Sequence, residues 1–214
     1  MQLSSAGSGD YSIQWPVSPS PRAITPRTTG KPNPSSRETA FVIARSSHPT
    51  YPLPMDILNS HPAPNRDEPV WTPPEGPPQT DRIPDAVYKA MGEENITAFF
   101  HAFYRRLAGS SVAHMFPRSE ESLMRAADKS AAMFTFLFGG PHLYQQRYGR
   151  PMMRARHLPF VIDEAARQEW LRCYRETLDE APEKYAMPRE HVDAVWKFVV
   201  DFSGWMVNAK KENQ

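Results

Sequence analysis

Residues 139–170 read GGPHLYQQRYGRPMMRARHLPFVIDEAARQEW. Gly139 and Gly140 end an apolar run, and Pro141, Pro151 and Pro159 follow at close spacing. Proline removes a backbone donor and clashes with the preceding turn, so any helix held between these residues is short. His157 stands in the last such interval, directly behind Arg154 and Arg156. Asp163 then opens a new helix, with a side-chain acceptor at the N-cap and Glu164 beside the positive end of the helix dipole. Trp170 lies further along that helix. The stretch is a link of broken turns between two long helices.

The flanks supply the helices. Ile96, Phe99, Phe100, Phe103, Tyr104 and Leu107 recur at helical spacing. So do Leu123, Ala126, Ala127, Ser130, Met133, Phe134 and Leu137, with Ser130 the polar exception. Ala166, Trp170, Cys173, Tyr174 and Leu178 form a third set, and Val192, Val195, Trp196, Val199, Phe202 and Met206 a fourth. A short first helix is expected over Asp85–Met91. Gly109, the double glycine and Pro182 mark breaks, and Pro188 suits the first turn of the last helix. No alternating strand pattern competes, so the fold class is all-α. Residues 84–214 are expected to form one domain around one core.

Residues 1–83 have another texture. Of the 23 prolines, 17 lie before Asp85, amid Ser, Thr, Arg and Asn. Such a segment builds neither helix nor sheet ladders, and a disordered, locally polyproline-II extension is expected. Its seven Lys/Arg balance seven Asp/Glu, which argues against a basic arm for nucleic acid. Three readings stay open: a solvated tether, a true start further on such as Met55, and an organelle-targeting leader. Prolines spoil an amphipathic targeting helix, which weighs against the third.

The remaining bulk numbers exclude more than they identify. A formal net charge of +1 and a pI near 7.9 give no general attraction to nucleic acid or membrane. One cysteine, Cys173, rules out an internal disulfide framework and suits a reducing compartment, so a cytoplasmic location is expected. No apolar run approaches the roughly 20 residues that cross a bilayer, and no secretory signal opens the chain. Nothing separates a monomer from a homodimer.

Chemistry-bearing residues are few. There is no phosphate-binding glycine loop, no zinc-spaced Cys/His set and no Cys-x-x-Cys-His for covalent haem attachment. Cys173 lies on an apolar helical face and reads as core. His48 and His61 fall in the extension, His101 and His114 flank a helix and its turn, His142 follows the double glycine, and His191 opens the last helix. His157 differs. A neutral imidazole is an iron ligand, and guanidinium groups pair with carboxylates such as haem propionates. The surplus of aromatics on the helices would wall a flat apolar cofactor. From composition alone two readings remain, a haem ligand and a surface-loop histidine.

The spaced residues Gly139, Gly140, Pro141, Tyr144, Gly149, Pro151, Arg154, Arg156, His157, Pro159 and Phe160, followed by Trp170, resemble the group II truncated haemoglobins. Phe103-Tyr104, Phe116-Pro117 and Trp205-Met206-Val207-Asn208 extend the resemblance over about residues 84–208. It implies a two-over-two helical globin holding haem b, with His157 as proximal iron ligand. Tyr104 and Trp170 would aim donors at dioxygen or another diatomic ligand such as CO or NO. Phe116, Ala126 and Ser130 would complete the distal pocket. Phe116 would wedge on the haem face, Ala126 would leave an open entrance, and the Ser130 hydroxyl would be a weak donor or bond its own helix. Lys129, Tyr144, Arg154, Arg156, Phe134 and Phe160 would contact the haem itself. A single Gly92 stands where the family has a glycine pair, and the turn from Tyr104 to Phe116 is one residue short. The implied function is reversible ligand binding for redox chemistry, detoxification or sensing rather than bulk oxygen transport. The enzymatic alternative, peroxidase-like or nitric-oxide-consuming, would need an external reductase.

Overall fold

The computed structural model describes residues 69–210, and the expectations for residues 1–68 lie outside that range. The described residues are helical, with no strand among them. α1 spans Ala86–Ala108, α2 Glu120–Leu137, α3 Leu143–Tyr148, α4 Met153–His157, α5 Glu164–Asp179, α6 Ala181–Lys184 and α7 Val192–Gly204. α1 packs on α2, α5 packs on α7, and α1 also meets α5, which gives the expected two-over-two arrangement.

Each boundary has a local cause. α1 breaks sharply at Gly92, where φ is 66° and ψ is 174°. That conformation is cheap only without a Cβ, and it separates the expected short first helix from the aromatic one. Asp163 caps α5 as its sequence suggests, accepting the Ala166 N–H at 2.8 Å. Ser119 caps α2 in the same way. Pro188 precedes a 3-10 turn over Arg189–His191 that leads into α7. α3 and α4 are short, as the proline spacing requires.

The core is aromatic. Phe99, Phe100 and Phe103 of α1 are buried against Tyr174 of α5, with ring centroids 5.4, 6.4 and 5.1 Å away. Phe134 of α2 closes on Phe100 at 4.7 Å. Burying a ring of this size contributes roughly 1.5–3 kcal/mol, so this cluster binds α1, α2 and α5 together. Cys173 is fully buried and burial raises its thiol pKa, in keeping with a core role.

Packing begins upstream of residue 84. Ile83 and Thr80 are buried, and the Trp71 N–H donates to the Asn208 carbonyl at 2.9 Å. Residues 69–83, read from sequence as part of an unpacked extension, therefore lie along the domain without forming helix. Their prolines forbid a helix but not a docked strap.

The double glycine is the tightest turn. Gly139 has φ 93°, and a Cβ there would sit 2.6 Å from the Asp85 Cα. Gly139→Ala is expected to cost more than about 1 kcal/mol in urea unfolding, because both the conformation and the space are wrong. Gly109→Ala is expected to fall within about 0.5 kcal/mol of wild type, because a Cβ there meets nothing nearer than 3.7 Å.

Candidate functional site

His157 ends α4. Its Nδ1–H donates to the Met153 carbonyl at 2.7 Å, one turn earlier. The acceptor is a carbonyl, so the proton sits on Nδ1 and the Nε2 lone pair is left available. The residue as a whole is half-buried, but the ring is deep enough that burial lowers its pKa, against a smaller opposing effect of the Met153 bond. Burial favours the neutral imidazole that a metal requires, and the Met153 bond fixes its tautomer.

A second cluster gathers where α1, α2 and α5 meet. The Tyr104 and Ser130 hydroxyls lie 2.7 Å apart. Phe116 sets its ring edge-on to Tyr104 at 5.6 Å, just after the 3-10 turn Ala113–Met115. The turn that looked one residue short still delivers Phe116 to this cluster. Ala126 lies one turn before Ser130 on the same helix and is half-buried. Trp170 stacks on Tyr174 at 5.2 Å and meets Phe103 edge-on at 5.2 Å. Its indole N–H has no hydrogen-bond acceptor among the described residues. Burial raises the Tyr104 pKa, the Ser130 bond partly opposing it, so the phenol stays a donor. Ser130 bonds neither its own helix backbone nor open space, because Tyr104 claims it.

A third group is cationic. Lys129 lies over the Tyr148 ring at 5.6 Å, and Arg156 over the Tyr144 ring at 5.8 Å. Burial first, then the nearby Arg156 and Arg125 charges, lower the Lys129 pKa. No carboxylate pairs with Lys129 among the described residues. Arg156 donates only to backbone carbonyls, those of Pro151 at 3.1 Å, Arg150 at 3.3 Å and Tyr148 at 3.4 Å. Two neighbouring cations without an acid between them are unfavourable unless an anion completes the site.

Lys129 and Ser130 are consecutive in α2. One turns to the cationic group beside His157, the other to Tyr104. α2 therefore joins the cationic group to the Tyr104 cluster. The donor chemistry fits haem: a neutral imidazole with a free lone pair, two unpaired cations for propionates, and hydroxyl and indole donors among apolar rings.

Three other expected haem contacts also have partners within the protein. The Arg154 guanidinium is engaged by backbone carbonyls of Trp71, Trp205 and Val207 and stacks on the Trp205 ring at 4.3 Å. It faces the chain termini of the domain, not the Lys129–Arg156 group. Phe134 belongs to the aromatic core already described. Phe160 forms the turn after α4, its N–H donating to the His157 carbonyl at 3.0 Å. Sequence reasoning assigned no role to Asn208, which is fully buried and donates to that same carbonyl at 3.1 Å. Its place in the Trp205-Met206-Val207-Asn208 ending was the available signal.

The helical architecture is that of a two-over-two globin. Residues 86–208 match the bacterial-like globin family. The group 2 truncated haemoglobin YjbI of Bacillus subtilis is 37% identical over 95 residues, covering 44% of this chain and 70% of that protein. The chain belongs to the group 2 truncated haemoglobins and is a haem-binding globin for diatomic ligands. Solved relatives agree in fold. Phosphate-bound Hell's gate globin IV superposes with a TM-score of 0.59 at 32% identity, covering 63% of this chain and 82% of that one. The truncated oxygen-avid haemoglobin of Bacillus subtilis superposes with a TM-score of 0.51 at 32% identity, covering 56% and 98%.

If Lys129 and Arg156 serve propionates, each contributes a partly exposed ion pair of about 0.2–1 kcal/mol. Lys129→Gln and Arg156→Gln are each expected to speed haem transfer to an apomyoglobin acceptor by roughly 1.5- to five-fold. The effect is expected to shrink at high salt, where such pairs are screened.

Proposed function

We propose that the protein is a b-type haemoglobin in which His157 holds the iron through Nε2, and Tyr104 and Trp170 retain dioxygen by hydrogen bonding. The observation that carries this reading is the 2.7 Å bond from His157 Nδ1–H to the Met153 carbonyl, which leaves Nε2 as the ligating atom. Haem, when bound, supplies an iron that takes one diatomic ligand opposite its protein ligand. The chain's part is positioning and polarity. Tyr104 stays protonated, and Ser130 orients its hydroxyl. When the Ser130 hydroxyl donates to Tyr104 Oη, the phenolic hydrogen is free for the ligand. The unpartnered Trp170 N–H is the second donor. Among the rings of Phe103, Phe116 and Tyr174, such donors act at low dielectric and are worth more than in water.

Two donors converging on one ligand slow its release. That behaviour suits sensing or redox chemistry better than delivery, and the similar Bacillus subtilis protein is described as oxygen-avid. Any turnover would draw its electrons from an external reductase.

Two measurements test the reading. Ferric, ferrous and carbon-monoxide spectra of the full-length protein are expected to show a Soret band that His157→Ala shifts or abolishes. Stopped-flow oxygen release is expected to quicken roughly ten-fold in Tyr104→Phe, the loss of one hydrogen bond near the upper end of its usual range. Trp170→Phe is expected to act in the same direction. An off-rate that is fast in wild type and unchanged in Tyr104→Phe removes the distal part of the proposal and leaves His157 standing.

A further inference from the structure

We propose that Arg154 and Asn208 are positioning residues for His157, and that the strap at Trp71–Thr72 completes their lock. The proposal rests on the reading of His157 as iron ligand. It begins with a mechanical problem. α4 has five residues and none of them is buried. Isolated helices shorter than about 12–15 residues do not hold in water, and apolar packing reaches this one chiefly through the partly buried Met153. The segment that carries the key imidazole is kept in place by polar contacts from outside it.

Those contacts form a closed circuit. Asn208 is fully buried, and every polar group it has is engaged. Its Nδ2 donates to the His157 carbonyl at 3.1 Å, and its Oδ1 accepts the Ile162 N–H at 3.0 Å. Its own N–H donates to the Ile162 carbonyl at 2.9 Å, and its carbonyl accepts the Trp71 N–H at 2.9 Å. The side-chain amide has one workable orientation, since the flipped form would set oxygen against the His157 oxygen and nitrogen against the Ile162 N–H. Asn208 thus clamps both ends of the turn 157–162.

Arg154 holds the start of α4. Its planar fork reaches the Trp205 carbonyl, the Val207 carbonyl at 3.2 Å and the Trp71 carbonyl at 2.9 Å, with Thr72 Oγ1 at 3.4 Å. A lysine carries the charge but cannot span three carbonyls in a plane. Trp71 therefore gives its N–H to Asn208 and its carbonyl to Arg154, and joins the two clamps. Residues 71–72 precede the 86–208 range shared with the bacterial-like globins.

The test uses the full-length protein with two readouts. One is hydrogen–deuterium exchange over residues 153–162, with and without haem. The other is the iron–histidine stretching band of the ferrous protein by resonance Raman. Arg154→Lys, Asn208→Asp and Trp71→Pro each remove part of the circuit, the last by deleting a single N–H donor. Each is expected to raise exchange over 153–162 by about ten-fold or more, as opening of the segment becomes easier. Each is also expected to shift or broaden the band. Trp71→Phe keeps both backbone contacts and is expected to match wild type. If Trp71→Pro does not fold, Arg154→Lys and Asn208→Asp decide, since both keep side-chain size. A wild-type band with unchanged exchange and an unchanged band in these variants overturns the lock alone. A wild-type protein lacking the band overturns the reading of His157, and with it the lock's positioning role.

Discussion

A five-residue helix between two prolines cannot hold itself, and the imidazole proposed to hold the iron sits at the end of one. Everything around α4 answers that constraint. The Met153 carbonyl fixes the ring from within the helix, and Asn208 and Arg154 fix the backbone from outside. The long helices meet α4 through Met153, which packs against their shared core. They build an aromatic core from Phe99, Phe100, Phe103, Phe134 and Tyr174, and so give the polar contacts a rigid frame to act from. Polar groups inside a dry, packed frame are strongly directional, because a missed partner there costs more than the bond itself contributes.

The arginines show how spacing alone can mislead. Arg154 and Arg156 are two residues apart, and both were expected to contact the haem. A two-residue step on a helix turns a side chain by about half a turn, so the two cannot serve one anion. Arg156 stays with Lys129 and Tyr144, and Arg154 goes to the carbonyls at the ends of the domain. The distal side has a similar lesson. Ser130 was expected to bond a ligand or its own helix, and it bonds Tyr104, because the packing of α1 on α2 brings the two hydroxyls within 2.7 Å.

Much of the fold was legible beforehand. Helical periodicity located the four long helices, and Asp163, Gly109 and the double glycine marked their ends. Tyr104, Phe116, Ala126, Ser130 and Trp170 were named from spacing and resemblance, and the structure gathers Tyr104, Ser130 and Phe116 by direct contact. What stayed hidden depends on contacts between distant pieces of chain. Residues 69–83 contain no periodic pattern, so their docking on α4 and the 205–208 ending could not be read from them. Asn208 is a small polar residue near the end of the domain, and only its hydrogen bonds to His157, Ile162 and Trp71 reveal its importance. Backbone carbonyls and N–H groups make most of that lock, and they carry no sequence signal.

The orientation of His157 is the centre of this account, and NMR reads it directly. Long-range nitrogen–proton correlation of the histidine rings in the ferrous, carbon-monoxide-saturated protein assigns each ring nitrogen as protonated or coordinated. The expected result is a slowly exchanging proton on His157 Nδ1 and coordination through Nε2. A proton on His157 Nε2, or coordination by any other residue, contradicts it.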